Sequence, residues 1–140
     1  MLKKVMIVSC LVIPLKLGIP DKTTWEISHK DLKCLADNVY FEARGESERG
    51  QILVAKTALN RAKASNSSVC TAVYAPRQFS WTNKPHSIKD AEAWGSAARA
   101  AALAHLDNTP VMFYHSVKVK PYWSKHKVVI ARVGNHIFYR

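Results

Sequence analysis

Apolar residues at positions 32, 35, 36, 39, 40 and 43 follow the i, i+3, i+4, i+7, i+8, i+11 spacing of one helix face. Ser28 stands ahead of them as an N-cap. Asp31, three residues later, lies near the positive end of the helix dipole. Gly45 supplies the stop. A second helix is expected from Ser47 or Glu48 to about Lys63, with Ile52, Ala55, Leu59 and Ala62 on its buried face. Residues 65–87 are rich in Ser, Asn and Pro and read as mostly loop. A third helix is expected from a Ser87 cap to about Leu106. Ala91, Trp94, Ala98, Ala101 and His105 share one side of it, and its alanines suit close packing against a neighbour. The period then changes. Val111–Tyr114 follows Pro110 as a short strand. Val128–Val133 and His136–Tyr139 flank Gly134-Asn135, a two-residue link that signals a hairpin. Three main helices followed by a small antiparallel sheet with a C-terminal hairpin make an α+β domain.

Residues 1–20 stand apart from this pattern. Lys3 and Lys4 precede an apolar run from Val5 to Leu15, broken by Ser9 and Pro14 and closed by Lys16. The run is shorter than the roughly 20 apolar residues of a membrane-spanning helix. It has the size of a signal-peptide core. No small-x-small cleavage pattern precedes Asp21. The segment therefore reads as a cleaved export signal, an uncleaved weak membrane anchor, or a lipoprotein signal ending at Cys10; a buried N-terminal strand or helix is the lesser alternative. Residues 21–140 form the folded body, expected in the periplasm, in the cell wall or secreted, or held at the membrane through residues 1–20.

The length of 140 residues suits one domain of ordinary size, and 48% hydrophobic with 22% charged residues excludes collagen-like, low-complexity and disordered chains. Lys and Arg number 21 against 10 acids, a net charge of +11. Residues 1–20 hold three lysines and no acid, which leaves the body at +8. A charge of this size favours a polyanionic partner: nucleic acid, an anionic membrane or the acidic polymers of a bacterial envelope.

Cys34 and Cys70 are the two cysteines of the body. Behind an export segment they read as a disulfide closing a loop of about 37 residues, worth about 3 kcal/mol, with two buried thiols as the alternative. The six histidines, at 29, 86, 105, 115, 126 and 136, form no HExxH and no close pair. No metal site and no cofactor are expected.

Of the ten acids, eight have ordinary structural places. Asp21 and Glu26 precede the core. Asp31, Glu48, Asp90 and Glu92 sit in first helical turns. Asp37 points away from the apolar stripe of the first helix, and Asp107 lies at a helix end. Glu42 and Glu46 remain. Setting Leu32 at zero and turning about 100° per residue puts Leu35 near 300°, Val39 near 340° and Glu42 near 280°. Glu42 thus lies at the edge of the stripe, in the last turn, where the dipole disfavours a carboxylate. Desolvation and dipole both raise its pKa, and a carboxylic acid that keeps its proton is what general acid catalysis needs. A rim ion pair with Arg44 or Arg61 accounts for Glu42 equally well. Glu46, after Gly45, is expected to cap the second helix.

The stretch Tyr40-Phe41-Glu42-Ala43-Arg44-Gly45-Glu46 resembles the SleB/CwlJ-type cell-wall hydrolases, the family of spore cortex-lytic enzymes. The likeness runs on through Gly50-Gln51, Leu59-Asn60-Arg61, Val69-Cys70, Val73-Tyr74 and Gln78-Phe79-Ser80-Trp81. It continues through Tyr114-His115, Pro121-Tyr122-Trp123 and the run from Gly134 to Arg140, covering roughly residues 32–140. The resemblance implies a compact lysozyme-like catalytic domain. It implies cleavage of the peptidoglycan glycan strand between N-acetylmuramic acid and N-acetylglucosamine, as a lytic transglycosylase with Glu42 as the catalytic residue. Such an enzyme needs one carboxylate, whereas hydrolytic glycosidases generally use two. The chain departs from the family after Trp81: many relatives have a Cys and an Asp-Gly nearby, and here Thr82-Asn83-Lys84-Pro85 follows.

The candidates for substrate contact are Gln78, Phe79, Ser80, His115 and Trp123. Gln78 and Ser80 could meet sugar hydroxyls or N-acetyl groups. Phe79, Trp81 and Trp123 could stack on sugar rings, though packing explains each equally well. His115 lines the cleft by analogy, or is a hydrogen-bonded strand histidine. Asn60 and Arg61 read as braces of the second helix. The expected partners are glycan strands and the anionic envelope, with no nucleic acid and a monomeric state. A phage endolysin is one setting that fits. The rival readings are an N-acetylmuramoyl-L-alanine amidase, often zinc-dependent, and a nucleic-acid-binding module suggested by the charge and by Tyr122-Trp123 among lysines.

Overall fold

Four capped helices build the core of the computed structural model, which describes residues 27–140. The readings of residues 1–20, and those of Asp21 and Glu26, lie outside the described residues. Ser28 caps α1 (His29–Ala43), its hydroxyl accepting the Asp31 N–H at 3.0 Å. Ser47 caps α2 (Glu48–Ala64), accepting from Gly50 N–H at 3.3 Å. Ser68 caps α3 (Val69–Tyr74), and Asp90 caps α4 (Ala91–Leu103) by accepting from Ala93 N–H at 2.9 Å. Each cap satisfies an amide that a helix N-terminus leaves unpaired.

Several boundaries differ from the sequence reading. Segment 65–87 is mostly loop as expected, but it also holds a short helix, because Val69, Ala72 and Val73 make a short buried stripe behind the Ser68 cap. A 3-10 turn over Ser80–Asn83 then carries Trp81 inward. The last helix starts at Ala91 rather than after Ser87. The Lys89 N–H is directed to the Tyr40 hydroxyl at 3.3 Å, so this stretch lies extended along α1 before Asp90 opens the helix.

α2 is the central helix and packs against α1, α3, α4 and β1. Its buried residues therefore extend beyond the expected stripe to Gln51, Leu53, Val54, Thr57 and Ala58, while Ile52 is only half-buried. α4 turns Ala97, Ala100, Ala101 and Ala104 inward, and the absence of longer side chains lets it approach α1 closely. That approach corrects the reading of Asp37. It is 6% exposed beneath α4 rather than pointing away into solvent. Its carboxylate accepts the Trp94 indole N–H at 2.8 Å and pairs with Lys33 at 2.7 Å, so the buried oxygens are satisfied.

The sheet has the order β1-β3-β2 and is antiparallel throughout, with β1 at Phe113–Ser116, β2 at Val129–Val133 and β3 at His136–Tyr139. β1 begins two residues later than expected from the apolar run. The preceding carbonyls are taken by α2: Asn60 Nδ2 donates to Val111 O at 2.8 Å, and Arg61 Nε donates to Met112 O at 2.7 Å. Asn60 and Arg61 thus brace the strand against the helix. Gly134 turns the hairpin at φ +53°, a left-handed conformation open to glycine. A disulfide joins Cys34 of α1 to Cys70 of α3. No described helix is long and apolar enough to cross a membrane.

Candidate active site

Glu42 sits in the last turn of α1, half-buried, where the helix meets the sheet. The chain end of α1 is held in place by Gln51, 4% exposed, whose amide donates to Ala43 O at 3.3 Å. From β1, the Tyr114 hydroxyl donates to Glu42 Oε2 at 2.9 Å. Burial pushes the Glu42 pKa up. The Tyr114 hydrogen bond and the Arg61 charge pull it back, and burial prevails. The Tyr114 phenol is itself pushed well up by burial and by Glu42, so it remains a donor. Glu42 has no rim ion pair with a described residue. Arg44 instead donates to the Tyr40 hydroxyl at 2.8 Å. Arg61 is held by Met112 O and by Gln78 Oε1, the latter at 3.0 Å.

A cleft of about 770 Å³ opens in front of Glu42. Phe41 and Trp81 form its aromatic wall, stacked at 4.7 Å between ring centroids. The Trp81 indole N–H donates to Asn38 Oδ1 at 3.0 Å, which fixes the ring. His86 packs edge-on against both rings. Among the described residues that line the cleft, Glu42 is the one carboxylate, and Arg44, Lys84 and Lys89 supply cations. Aromatic faces suit the apolar faces of sugar rings, and a half-buried acid beside them suits proton transfer to a glycosidic oxygen.

The other candidates from the sequence do not gather here. Phe79 is 4% exposed and belongs to the core. Ser80 is exposed at the start of its turn and does not line the cleft. Gln78 lines a separate depression of about 420 Å³ and reaches the site only through Arg61. His115 and Trp123 lie across the sheet from Glu42. His115 is buried against Tyr139, with Nε2 2.7 Å from the phenol oxygen, and Trp123 packs on Phe113, His115 and Tyr139. Strand alternation explains this: Tyr114 faces Glu42, so its neighbour faces the other side. The same alternation, applied to the strand carrying the Tyr114-His115 pair, is the signal that would have picked out Tyr114.

Glu46 does not cap α2; Ser47 does. Its carboxylate instead accepts the Asn135 backbone N–H at 3.2 Å and side-chain N–H at 2.8 Å, tying the hairpin turn to the start of α2. Desolvation acts upward on Glu46, but the Asn135 hydrogen bonds and the nearby His136 outweigh it and hold the pKa below the usual carboxylate value. A depressed folded pKa contributes stability above the unfolded pKa and loses it as pH falls through the folded one. Glu46→Gln is therefore expected to lower Tm near neutrality, with the difference from wild type shrinking on acidification through the carboxylate range. Thermal unfolding across pH checks this, and turnover should change little. Among the described residues, no group of three or more His, Cys, Asp or Glu is placed to hold a metal ion.

Comparison with known proteins gives a consistent result. A spore cortex-lytic enzyme of Oceanobacillus iheyensis is 27% identical over 121 residues, covering 79% of this chain and 42% of that enzyme. The chain thus spans less than half the length of the curated relatives it matches. The crystal structure of the catalytic domain of the Bacillus cereus SleB protein superposes with a TM-score of 0.68 at 28% identity, over 82% of this chain and 93% of that one. The catalytic domain of the germination-specific lytic transglycosylase SleB from Bacillus anthracis gives 0.65 at 26% identity, over 81% and 96%. The family model described as Cell Wall Hydrolase matches residues 45–139, beginning three positions after Glu42. With two thirds of its length inside that match and its fold shared with the SleB catalytic domains, the chain belongs to the cell wall hydrolase family.

Proposed function

We propose that this domain cleaves the peptidoglycan glycan strand between N-acetylmuramic acid and N-acetylglucosamine as a lytic transglycosylase, with Glu42 as its proton-transfer group. The observation that carries this reading is the single carboxylate in an aromatic-walled cleft. The likeness to a domain described as a lytic transglycosylase supports it. Protonated Glu42 gives its proton to the glycosidic oxygen as the bond to the anomeric carbon breaks. The resulting carboxylate takes the proton from the C6 hydroxyl of the same N-acetylmuramic acid. That oxygen bonds to the anomeric carbon and closes a 1,6-anhydro ring. No water is consumed and Glu42 ends protonated. The nucleophile is already tethered to the electrophile, which supplies the advantage of intramolecular attack.

The surroundings of Glu42 suit both steps. Burial favours the acid form needed first, while Tyr114 and Arg61 favour the carboxylate needed second. Tyr114→Phe removes one of the two groups that lower this pKa. The alkaline limb of the kcat/KM profile should move to higher pH, since that limb reports loss of the acid form. A lower rate with an unmoved limb would assign Tyr114 to packing alone. Acting on peptidoglycan places the domain outside the cytoplasm, and the net charge of +8 on residues 21–140 favours its retention on an anionic wall. Chromatography and mass spectrometry of digested sacculi test the reaction class. Anhydro ends support transglycosylation, reducing ends would show hydrolysis, and freed stem peptides would revive the amidase.

A further inference from the structure

The glycan backbone of peptidoglycan carries no charge, yet the cleft in front of Glu42 presents three cations, Arg44, Lys84 and Lys89, with Glu42 as the one acid among its described lining residues. None of the three forms an ion pair with a described residue. They are also not the cations that tune Glu42, a part played by Arg61. The Arg44 side chain and the backbone of Lys84 and Lys89 are held in place. The Tyr40 hydroxyl, on a residue 2% exposed, receives both Arg44 Nη1 at 2.8 Å and Lys89 N–H at 3.3 Å. The His86 ring sits against Phe41 and Trp81, with Nδ1 2.9 Å from Lys84 O. The loop that departs from the family pattern after Trp81 is therefore pinned across α1, and it brings Lys84 and Lys89 to the rim of the glycan cleft.

Charges set beside a neutral chain need an anionic substituent to meet. In peptidoglycan the anionic group nearest the scissile bond is the stem peptide on the lactyl group of N-acetylmuramic acid, with its glutamate, diaminopimelate and terminal carboxylates. We propose that Arg44, Lys84 and Lys89 form a subsite for the acidic stem peptide, so that this domain prefers glycan strands that still carry peptides over strands stripped of them. This rests on the glycan-cleaving reading above and specifies its substrate. Arg44 supplies a planar fork suited to a carboxylate, and the lysines supply point charges at the rim.

The test compares kcat/KM on soluble peptide-bearing strands with kcat/KM on the same strands stripped by an amidase and then capped as methylamides at the freed lactyl carboxylates, so that the stripped strand is neutral, at low and high salt. Wild type should favour peptide-bearing strands, and salt should erode the preference. The Lys84→Gln/Lys89→Gln double variant should cut that ratio by about five- to tenfold. Lys63→Gln/Lys125→Gln, a charge-matched change outside the cleft, should leave it unaltered. Equal turnover of both strands by wild type at every salt concentration would overturn the subsite while leaving the glycan-cleaving reading intact. If neither strand is cleaved, that reading fails, and binding decides the subsite separately. The tetrapeptide L-Ala-D-Glu-diaminopimelate-D-Ala, titrated into the Glu42→Gln protein, should shift NMR signals of Lys84 and Lys89. No shift there, or a shift with a teichoic acid and not with the tetrapeptide, would overturn it.

Discussion

Glu42→Gln is expected to abolish strand cleavage while leaving the fold intact. The substitution keeps size and shape, and an amide oxygen still accepts the Tyr114 hydroxyl that now donates to Oε2 at 2.9 Å. What is lost is the transferable proton. Removing one general acid costs about 10²–10⁴-fold, and the loss here should reach or exceed the top of that range because one group serves both proton transfers. Stability should hold or rise slightly, since the variant no longer places an ionisable group in a site where burial disfavours its charge. Turbidity loss of purified peptidoglycan reads the activity, and circular dichroism with a melting curve reads the fold. A well-folded variant that retains most activity would remove Glu42 from the mechanism.

The second large effect is on stability. The Cys34–Cys70 disulfide spans 36 positions and fastens α3 to the middle of α1, the helix that carries Glu42 at its end. Cutting a loop of this length restores conformational freedom to the unfolded chain worth about 3–4 kcal/mol. Native contacts at the junction soften that loss little. Asp31 accepts the Cys70 N–H at 2.9 Å, but a single hydrogen bond contributes about 1 kcal/mol net. Cys34→Ser/Cys70→Ser, or reduction of the wild type, should lower Tm by about 15 °C. Equal melting curves with and without reductant would show that the crosslink leaves the unfolded ensemble unconstrained.

The helices were legible where one stripe faced one core. α1 starts behind the serine that the sequence marks, α2 starts at Glu48 within the expected bounds, and the Gly134-Asn135 turn joins the strands it was expected to join. Legibility failed where an element is buried on two sides. Asp37 looks solvent-facing on the α1 stripe, but α4 covers that side and Trp94 supplies its partner, a contact across 57 positions that no local period encodes. The same holds at the site. Glu42 could be picked from the angular position of one residue on one helix. Tyr114, Arg61 and the cations of the 84–89 loop converge on it from β1, α2 and an irregular segment, so only the fold unites them. His115 shows the hazard of carrying a pair of adjacent residues over together. In a strand, neighbours face opposite sides, and only one of the two can reach the cleft.

Digestion in heavy-oxygen water tests the central claim most directly, because the proposed reaction closes the new sugar end with an internal oxygen and consumes no solvent. Purified peptidoglycan would be cleaved by the wild-type domain in labelled water and its new muramic acid ends analysed by mass spectrometry. The expected result is 1,6-anhydro ends, lighter than reducing ends by one water and free of label, with none formed by Glu42→Gln. Labelled reducing ends dependent on Glu42 would contradict the account, since solvent would then be the nucleophile and a second water-activating group would have to act in the cleft.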